Sequence, residues 1–343
     1  MCSLGMDGNM NADTNVHMTN MTQNEITASQ SGAVSRMASI DIGTVTCRLL
    51  LADVSDTTFT ELERHVAITN LGMGVDKTHL LQDDAIDRVV AKVSEYLAVV
   101  DKYRTADHPE IPVVAVATSA SRDAKNSTVL VDRLREIGVE LRIIKGTQEA
   151  RLSFRGASRG YEDEQLLVAD IGGGSTELVL GVGGDAPRIS HSFNIGCRRM
   201  TERFMASNPP TDTECARLRA YVREEMASYF THAKEVGCTI ERIVAVAGTP
   251  TSVVAIDKHM EVYDSSRVHG TVVPRETLQR IYDHLRSIPL EDRKRVVGLE
   301  PARASVIVAG LAILLEVLDL ANCPSFTVSE SDILQGILLS ERE

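Results

Sequence analysis

Residues 167–181, which read LVADIGGGSTELVLG, constrain the fold more than any other stretch of this chain. An apolar run enters Asp170, three glycines follow, and a second apolar run begins after Glu177. The pattern predicts a strand, a tight turn and a second strand, because glycine permits positive φ angles and close approach of a ligand. Backbone N–H groups in such a turn can bind an anion, and an adjacent aspartate is a hard oxygen ligand for Mg²⁺. The stretch indicates either a phosphate site with its metal or an ordinary glycine-rich hairpin.

A second turn of the same kind lies upstream, in residues 37–54, which read MASIDIGTVTCRLLLADV. Here an apolar strand also ends in Asp-Ile-Gly, and hydroxyl residues and Arg48 follow. Two such turns indicate two related half-domains that face one phosphate site. This layout resembles the actin, Hsp70 and acetate kinase superfamily. It implies an α/β fold of two ribonuclease H-like domains with an interdomain cleft.

Composition fits two globular domains and argues against several functional classes. A length of 343 residues favours two domains, and 43% hydrophobic residues suffice for complete cores. No run of 18 apolar residues occurs, so we expect no membrane span. A net charge of −12 argues against non-specific nucleic-acid binding, although a cleft can still be locally basic. The six cysteines are scattered without a CxxC pair, which argues against zinc or a disulfide framework and favours the cytoplasm.

The chain divides into an extension and two predicted domains. Residues 1–36 are rich in Met, Asn, Thr, Ser and Gln and lack the regions of a signal peptide, so we expect a disordered extension. We predict a first actin-like domain over residues 37–152 and a second over residues 153–343. We expect the closing helix, about residues 331–343, to pack back on the first domain.

Two helix starts between the turns carry charged side chains. The segment ATSASRDAKN places hydroxyls at a strand end and Arg122 just inside a helix. That arrangement suits anion binding at a helix N-terminus, and equally an ordinary capped helix. The segment IKGTQEARLSFRG places Glu149 in a first helical turn, where a carboxylate gains from the helix dipole whatever its role.

Several cations could contact a long anion or could be surface charges. Arg151, Arg155 and Arg159 recur at four-residue spacing and would form one stripe on a helix. The other candidates are Arg48, Arg198, Arg199, Arg267 and His269.

In their order and spacing these segments resemble the exopolyphosphatase and guanosine pentaphosphate phosphatase (Ppx/GppA) family, in its short two-domain form. The segments FNIGCRRMTERF, VAVAGTPTSVVAI, RVHG and VSESDILQGIL add to the resemblance, which runs from about Met37 onward. Long members of the family carry further C-terminal domains related to HD hydrolases.

The resemblance implies roles for individual residues. Glu149 matches the proposed catalytic base, and Arg122 matches an arginine placed against the phosphates. The residues implied to bind phosphate are Gly43, Thr44, Thr46, Gly172, Gly173, Gly174 and Ser175. The residues implied to bind Mg²⁺ or Mn²⁺, or to place the water, are Asp41, Asp170 and Glu177.

Three positions depart from the family's usual pattern. Val45 stands in the first turn where an asparagine is usual, which removes a hydrogen-bonding side chain. Pro250 replaces a flexible apolar residue, and Ser305 replaces an aspartate. The first departure bears on rate or substrate preference.

The implied activity is Mg²⁺-dependent hydrolysis of the terminal phosphoanhydride of inorganic polyphosphate, with release of orthophosphate. Conversion of pppGpp to ppGpp is the second substrate option, because both molecules end in the same anhydride. A non-catalytic alarmone or nucleotide sensor would keep both turns and lose the base. A small-molecule kinase would need an acceptor-site base and an adenine pocket. The family often dimerises, so we expect a homodimer.

Overall fold

The computed structural model describes residues 34–56 and 58–342. Most of the predicted disordered extension, residues 1–33, lies outside the described residues. Its last residues do not belong to an extension, because the first strand begins at Ser35, two residues before the predicted start at Met37. The reason is an ion pair across the sheet, in which Arg36 Nε donates to Asp53 Oδ1 at 2.7 Å.

The first sheet has five strands, in the order β3-β2-β1-β4-β5. Their bounds are β1 (Ser35–Ile42), β2 (Thr46–Val54), β3 (Phe59–Ile68), β4 (Val113–Ala117) and β5 (Leu141–Ile143). The first three form an antiparallel meander, and β4 and β5 add in parallel beside β1. The accompanying helices are α1 (Val75–Thr78), α2 (Asp83–Asp101), α3 (Ser119–Asp123) and α4 (Ser127–Glu136). One face of this sheet packs against α2 and α4 in a single apolar core.

The helix α5 (Gly146–Ala157) leads to the second sheet, which has six strands in the order β10-β11-β9-β6-β7-β8. Their bounds are β6 (Gln165–Ile171), β7 (Thr176–Val182), β8 (Ile189–Phe193), β9 (Arg242–Val246), β10 (Val272–Pro274) and β11 (Ser325–Val328). Strands β6 to β8 again form an antiparallel meander, and β9 and β11 again add in parallel beside β6. The two sheets therefore repeat one plan, as the paired Asp-Ile-Gly turns predicted.

The helices of the second half bury the largest core of the protein. They are α6 (Cys197–Phe204), α7 (Asp212–Glu235), α8 (Gly248–Asp257), α9 (Ser265–Val268), α10 (Arg275–Ser287), α11 (Leu290–Arg293), α12 (Ile307–Ala321) and α13 (Ile333–Ser340). Helix α12 is buried along most of its length, which agrees with its nearly uninterrupted apolar sequence. It packs with α7 and α10 on one face of the second sheet.

Helices α5 and α13 fill the space between the two sheets. Phe154 and Ala150 of α5 cover the remaining face of the second sheet. Leu334 and Leu338 of α13 pack on β1 and β2 of the first sheet. The predicted division at residue 152 falls inside α5 and stays a prediction. Among residues 34–56 and 58–342, every helix is too short or too polar to span a lipid bilayer.

Candidate functional site

The two glycine turns are closed by equivalent backbone hydrogen bonds. Gly43 N donates to Thr46 O at 2.8 Å in the first turn, and Gly172 N donates to Ser175 O at 3.0 Å in the second. The turns also touch, since a Cβ on Gly173 would lie 2.6 Å from Val45 Cγ2. A side chain at Gly173 would push the turns apart, so the contact requires glycine at that position.

The turns form the floor of a cleft of about 1200 Å³ between the two sheets. All seven residues predicted to bind phosphate line it, from Gly43 to Thr46 and from Gly172 to Ser175. Within the described part of the chain, the N–H groups of Thr44, Gly173 and Gly174 donate to no protein acceptor. N–H groups of this kind are suited to bind the oxygens of a phosphate.

Asp41 and Asp170 are the penultimate residues of equivalent strands of the two sheets, and both line the cleft. Asp170 Oδ2 accepts a hydrogen bond from Ser153 Oγ at 2.5 Å, and burial raises the pKa of Asp170 to about 6. Burial also raises the pKa of Asp41, while the neighbouring Arg48 guanidinium opposes this rise. Both carboxyl groups are therefore buried at the cleft, where burial opposes their ionisation.

Glu149 lies in the first turn of α5, on the cleft wall. Arg122 Nη1 donates to Glu149 Oε2 at 2.5 Å and to Ile144 O at 3.1 Å. Burial raises the pKa of Glu149 to about 7, although the positive charge of Arg122 lowers it. Arg122 is not among the residues that line the cleft. Its Nη1 holds the carboxylate of Glu149, and a contact of Arg122 with the phosphates stays a prediction.

Glu177 lies behind the cleft wall. Its side chain is buried, it is absent from the cleft lining, and its Oε1 accepts from Ser192 Oγ at 2.6 Å. Burial, together with the negative charges of Glu149 and Asp170, holds the pKa of Glu177 well above its ordinary value. It can influence the site through those two carboxylates.

Of the basic residues predicted to contact a long anion, Arg48 alone lines the cleft in the described part of the chain. Its Nη2 donates to Asp41 Oδ2 at 2.6 Å, and its Nη1 pairs with Asp332. Arg151 and Arg267 are exposed and Arg155 is half-buried, all outside the lining. Further residues outside the lining are Arg198, which donates to Asn70 Oδ1, and His269, whose Nδ1 accepts from Glu330 N.

The lining residues that the sequence reasoning missed as site candidates include Asp332, Arg64 and Arg303. Asp332 pairs with Arg48 and caps α13, since its Oδ1 accepts from Leu334 N at 3.0 Å. Arg64 donates to Glu61 and to Glu330 O. The guanidinium of Arg303 lies over Gly248, where a Cβ would be 1.7 Å from Nη1. Of these three residues, only Asp332 belongs to a recognisable sequence pattern. That pattern is a capping box, which indicates the start of a helix and not a site residue.

The departures from the family pattern occupy different environments. Val45 is buried in a small apolar cluster with Cys197 and Val306. Pro250 lies in the first turn of α8, where a missing N–H is tolerated. Nothing in the structure gives Ser305 a role.

No cluster of three or more His, Cys, Asp or Glu side chains suited to a metal occurs in residues 34–56 and 58–342. However, Asp41 Oδ1 is buried and lacks a hydrogen-bond partner. A buried unpaired carboxylate oxygen needs a compensating partner. Mg²⁺ commonly takes one or two carboxylates together with substrate phosphates, so Asp41 and Asp170 fit such an ion.

The two sheets share one topology, and the cleft between them is suited to bind phosphate. These features define an actin-like α/β protein, which confirms the predicted fold. The chain belongs to the Ppx/GppA phosphatase family, whose sequence model matches residues 50–343. Exopolyphosphatase 2 of Mycobacterium tuberculosis is 35% identical over 325 residues, which cover 90% of this chain and 99% of that protein.

Solved structures agree with this assignment. The crystal structure of the Aquifex aeolicus member of the family is similar with a TM-score of 0.75 and 32% identity, covering 90% of this chain and 98% of the other. An exopolyphosphatase from Cytophaga hutchinsonii has a TM-score of 0.80 and 26% identity, covering 90% and 97%. The predicted family is therefore confirmed.

Proposed function

We propose that this protein is an exopolyphosphatase, which hydrolyses the terminal phosphoanhydride of inorganic polyphosphate and releases orthophosphate. The observation that carries the proposal is Glu149, a carboxylate with a pKa of about 7 on the wall of a cleft floored by two phosphate turns. A general base works best when its pKa is near the operating pH. The exopolyphosphatases among the relatives add support to this choice of substrate.

The proposed reaction is an in-line displacement at the terminal phosphorus. The oxygen of a water molecule forms a bond to that phosphorus, and the bond to the bridging oxygen breaks. Glu149 accepts the proton of the water, and the shortened chain leaves with the bridging oxygen. Free N–H groups in the turns, such as those of Gly173 and Gly174, would bind the charged phosphoryl oxygens, since phosphoryl transfer is promoted mainly by positioning and charge stabilisation.

Arg122 has a positioning role in this proposal. Its guanidinium holds Glu149 Oε2 and the backbone oxygen of Ile144, so the carboxylate has one orientation toward the cleft. The same positive charge keeps the pKa of Glu149 lower than burial alone would. Both effects favour an ionised, fixed base at neutral pH.

We infer that Mg²⁺ or Mn²⁺ assists the reaction, held by Asp41 and Asp170 together with substrate oxygens. The buried unpaired Oδ1 of Asp41 supports this inference. When bound, such an ion would supply positive charge against the phosphate oxygens. Glu177 lies behind the cleft wall and would act through its charge on Asp170 and Glu149.

Conversion of pppGpp to ppGpp is a second candidate activity of the same site. The cleft continues beyond the turns to Tyr263 and Arg303, whose ring and guanidinium are flat surfaces on which a base can stack. A non-catalytic sensor is disfavoured because Glu149 is present and held. A cytoplasmic homodimer stays a prediction.

The test offers the purified protein short-chain polyphosphate, long-chain polyphosphate, pppGpp and ATP in parallel, each with Mg²⁺, with Mn²⁺ and with EDTA. We expect orthophosphate from polyphosphate, and none in EDTA. Release from pppGpp alone would make the protein a guanosine pentaphosphatase. Tight binding without release from any of the four would replace the proposal by the sensor function.

A further inference from the structure

Arg199 of α6 makes an unusual set of contacts outside the cleft. Its Nε donates to Gly174 O at 2.8 Å, Nη1 pairs with Asp76, and Nη2 pairs with Asp123. Nη2 also lies 3.4 Å from Ser119 Oγ. All three guanidinium nitrogens are thus engaged by protein groups.

These contacts join parts of the site that are distant in the sequence. Gly174 belongs to the second phosphate turn, between β6 and β7. Asp76 lies in α1 and Asp123 ends α3, both beside the first sheet. Helix α3 also carries Arg122, which holds Glu149. One side chain therefore connects the second phosphate turn to the helix that orients the proposed base.

The charge balance argues that Arg199 serves the protein and not the substrate. Two carboxylates face its single positive charge, so little is left to attract a phosphate. The side chain of Arg199 is 14% exposed, and those of Asp76 and Asp123 are 30% and 29% exposed. Hydrogen bonds between ionised groups in such a partly buried place are stronger than those on an open surface.

We propose that Arg199 is a positioning residue for the hydrolysis proposed above, on which this inference depends. It fixes the second phosphate turn, through Gly174 O, relative to α3 and so relative to Arg122 and Glu149. A lysine cannot reproduce the contact, because an ammonium lacks the flat three-nitrogen fork that reaches all partners at once.

Other contacts of α6 keep the helix docked when Arg199 is changed. Cys197 N donates to Gly172 O at 2.9 Å, and Arg198 N donates to Gly173 O at 2.8 Å. Glu202 accepts from Gly74 N at 3.3 Å. We therefore expect Arg199 variants to fold. In these variants the second phosphate turn would only be held less firmly in its position.

The experiment compares Arg199→Met, Arg199→Lys and Asp123→Asn with the control Arg203→Met. Arg203 lies on the same helix, is exposed, and stacks over the ring of Tyr221 at 4.2 Å. Two quantities are measured: kcat and KM on short-chain polyphosphate, and amide hydrogen exchange of peptides spanning residues 170–176 and 197–200. The second does not depend on activity.

We expect kcat to fall roughly tenfold to a hundredfold in both Arg199 variants, the range for a small misplacement of reacting groups. The kcat of Asp123→Asn should fall less than that of the Arg199 variants, because Asp76 still pairs with Arg199. Exchange at residues 170–176 should become several-fold faster in the Arg199 variants and stay unchanged in Arg203→Met.

Unchanged exchange in Arg199→Met would overturn the proposal, even if activity were lost, because the residue would then act on substrate directly. Wild-type kcat in that variant would overturn it as well. If the wild-type protein releases no phosphate from any substrate, the proposed function fails, and Arg199 keeps only a structural role in holding the turn.

Discussion

At the scale of single residues, Glu149 owes its chemistry to two opposed influences. Burial raises the pKa of its carboxyl group to about 7, and the Arg122 guanidinium limits that rise. Because the proposed base must be ionised to accept a proton, kcat should decline as the pH falls through about 7. Removing the guanidinium should raise the pKa further and extend the decline to higher pH.

This predicts a shift of the acidic limb of the pH–kcat profile in Arg122→Met toward higher pH. The matched control is Arg151→Met, since Arg151 is exposed on α5, outside the cleft lining. Profiles would be recorded from pH 5.5 to 9 on short-chain polyphosphate at saturating Mg²⁺. An acidic limb that coincides in Arg122→Met and wild type would contradict the assigned pairing.

At the scale of elements, the crossing of α5 and α13 sets the position of Glu149. A Cβ on Gly156 would lie 1.8 Å from the backbone oxygen of Asp332, and a Cβ on Gly336 would lie 1.9 Å from that of Leu152. Neither neighbour is a flexible side chain, so the helices would have to separate. Glu149 lies in the first turn of one helix and Asp332 caps the other, so separation would also disturb the cleft.

We predict that Gly156→Ala lowers the free energy of unfolding by about 1–3 kcal/mol, the usual cost of overpacking. Urea denaturation followed by circular dichroism would measure it, with Arg151→Ala on the exposed face of the same helix as control. Phosphate release should fall in the first variant only. Equal stability of the two variants would show that the helices can move apart freely.

The positions of the helices and strands could be predicted from the sequence. Which side of a helix packs against the rest of the protein could not. The recurrence of Arg151, Arg155 and Arg159 correctly indicated a helix for the first two arginines, but α5 ends at Ala157 and Arg159 lies in the turn that follows. The packed side of α5 is the one that carries Ala150 and Phe154, because the second sheet and α13 accept small and apolar side chains there. Which side packs depends on partners far away in the sequence.

At the scale of the whole molecule, folding gathers carboxylates from both halves at one cleft. Burial raises the pKa of Glu149 to about 7 and of Asp170 to about 6, and it raises those of Asp41 and Glu177. Between the ordinary carboxyl values near 4 and these raised values, the folded state binds more protons than the unfolded state. Stability therefore falls as pH rises through this window.

We predict that Tm, measured by scanning calorimetry in EDTA, decreases from pH 5.5 to pH 7.5. The slope should be smaller in Glu149→Gln, which removes one of the raised groups. A Tm that increases with pH over this range, with the slope unaltered by the substitution, would contradict the account of the cleft carboxylates.

The same cleft predicts stabilisation by a divalent cation at pH 7.5. An ion that binds the folded state raises Tm with its concentration. Mg²⁺ or Mn²⁺ should raise the Tm of wild type in the presence of pyrophosphate, and do so less in Asp41→Asn. The control is Asp107→Asn, an exposed acid outside the cleft lining. Equal responses of the two variants would remove Asp41 from the metal assignment.

The fold and both glycine turns were predictable because glycine turns between apolar strands are local signals. Arg303, Arg64 and Asp332 were not assigned to the site, since only the packing of distant segments brings them to the cleft. The placement of Arg122 behind Glu149 likewise depends on the approach of α3 to α5. Local motifs can be identified from the sequence, whereas contacts between distant segments depend on tertiary packing.

The most direct test of the central claim is to measure turnover and binding of short-chain polyphosphate by Glu149→Gln beside wild type. The substitution keeps the size of the side chain and removes the proton acceptor. We predict that kcat falls by about 10² to 10⁴, the contribution of a general base. The Kd from calorimetry should stay close to that of wild type. Turnover at the wild-type rate would show that Glu149 is not the base.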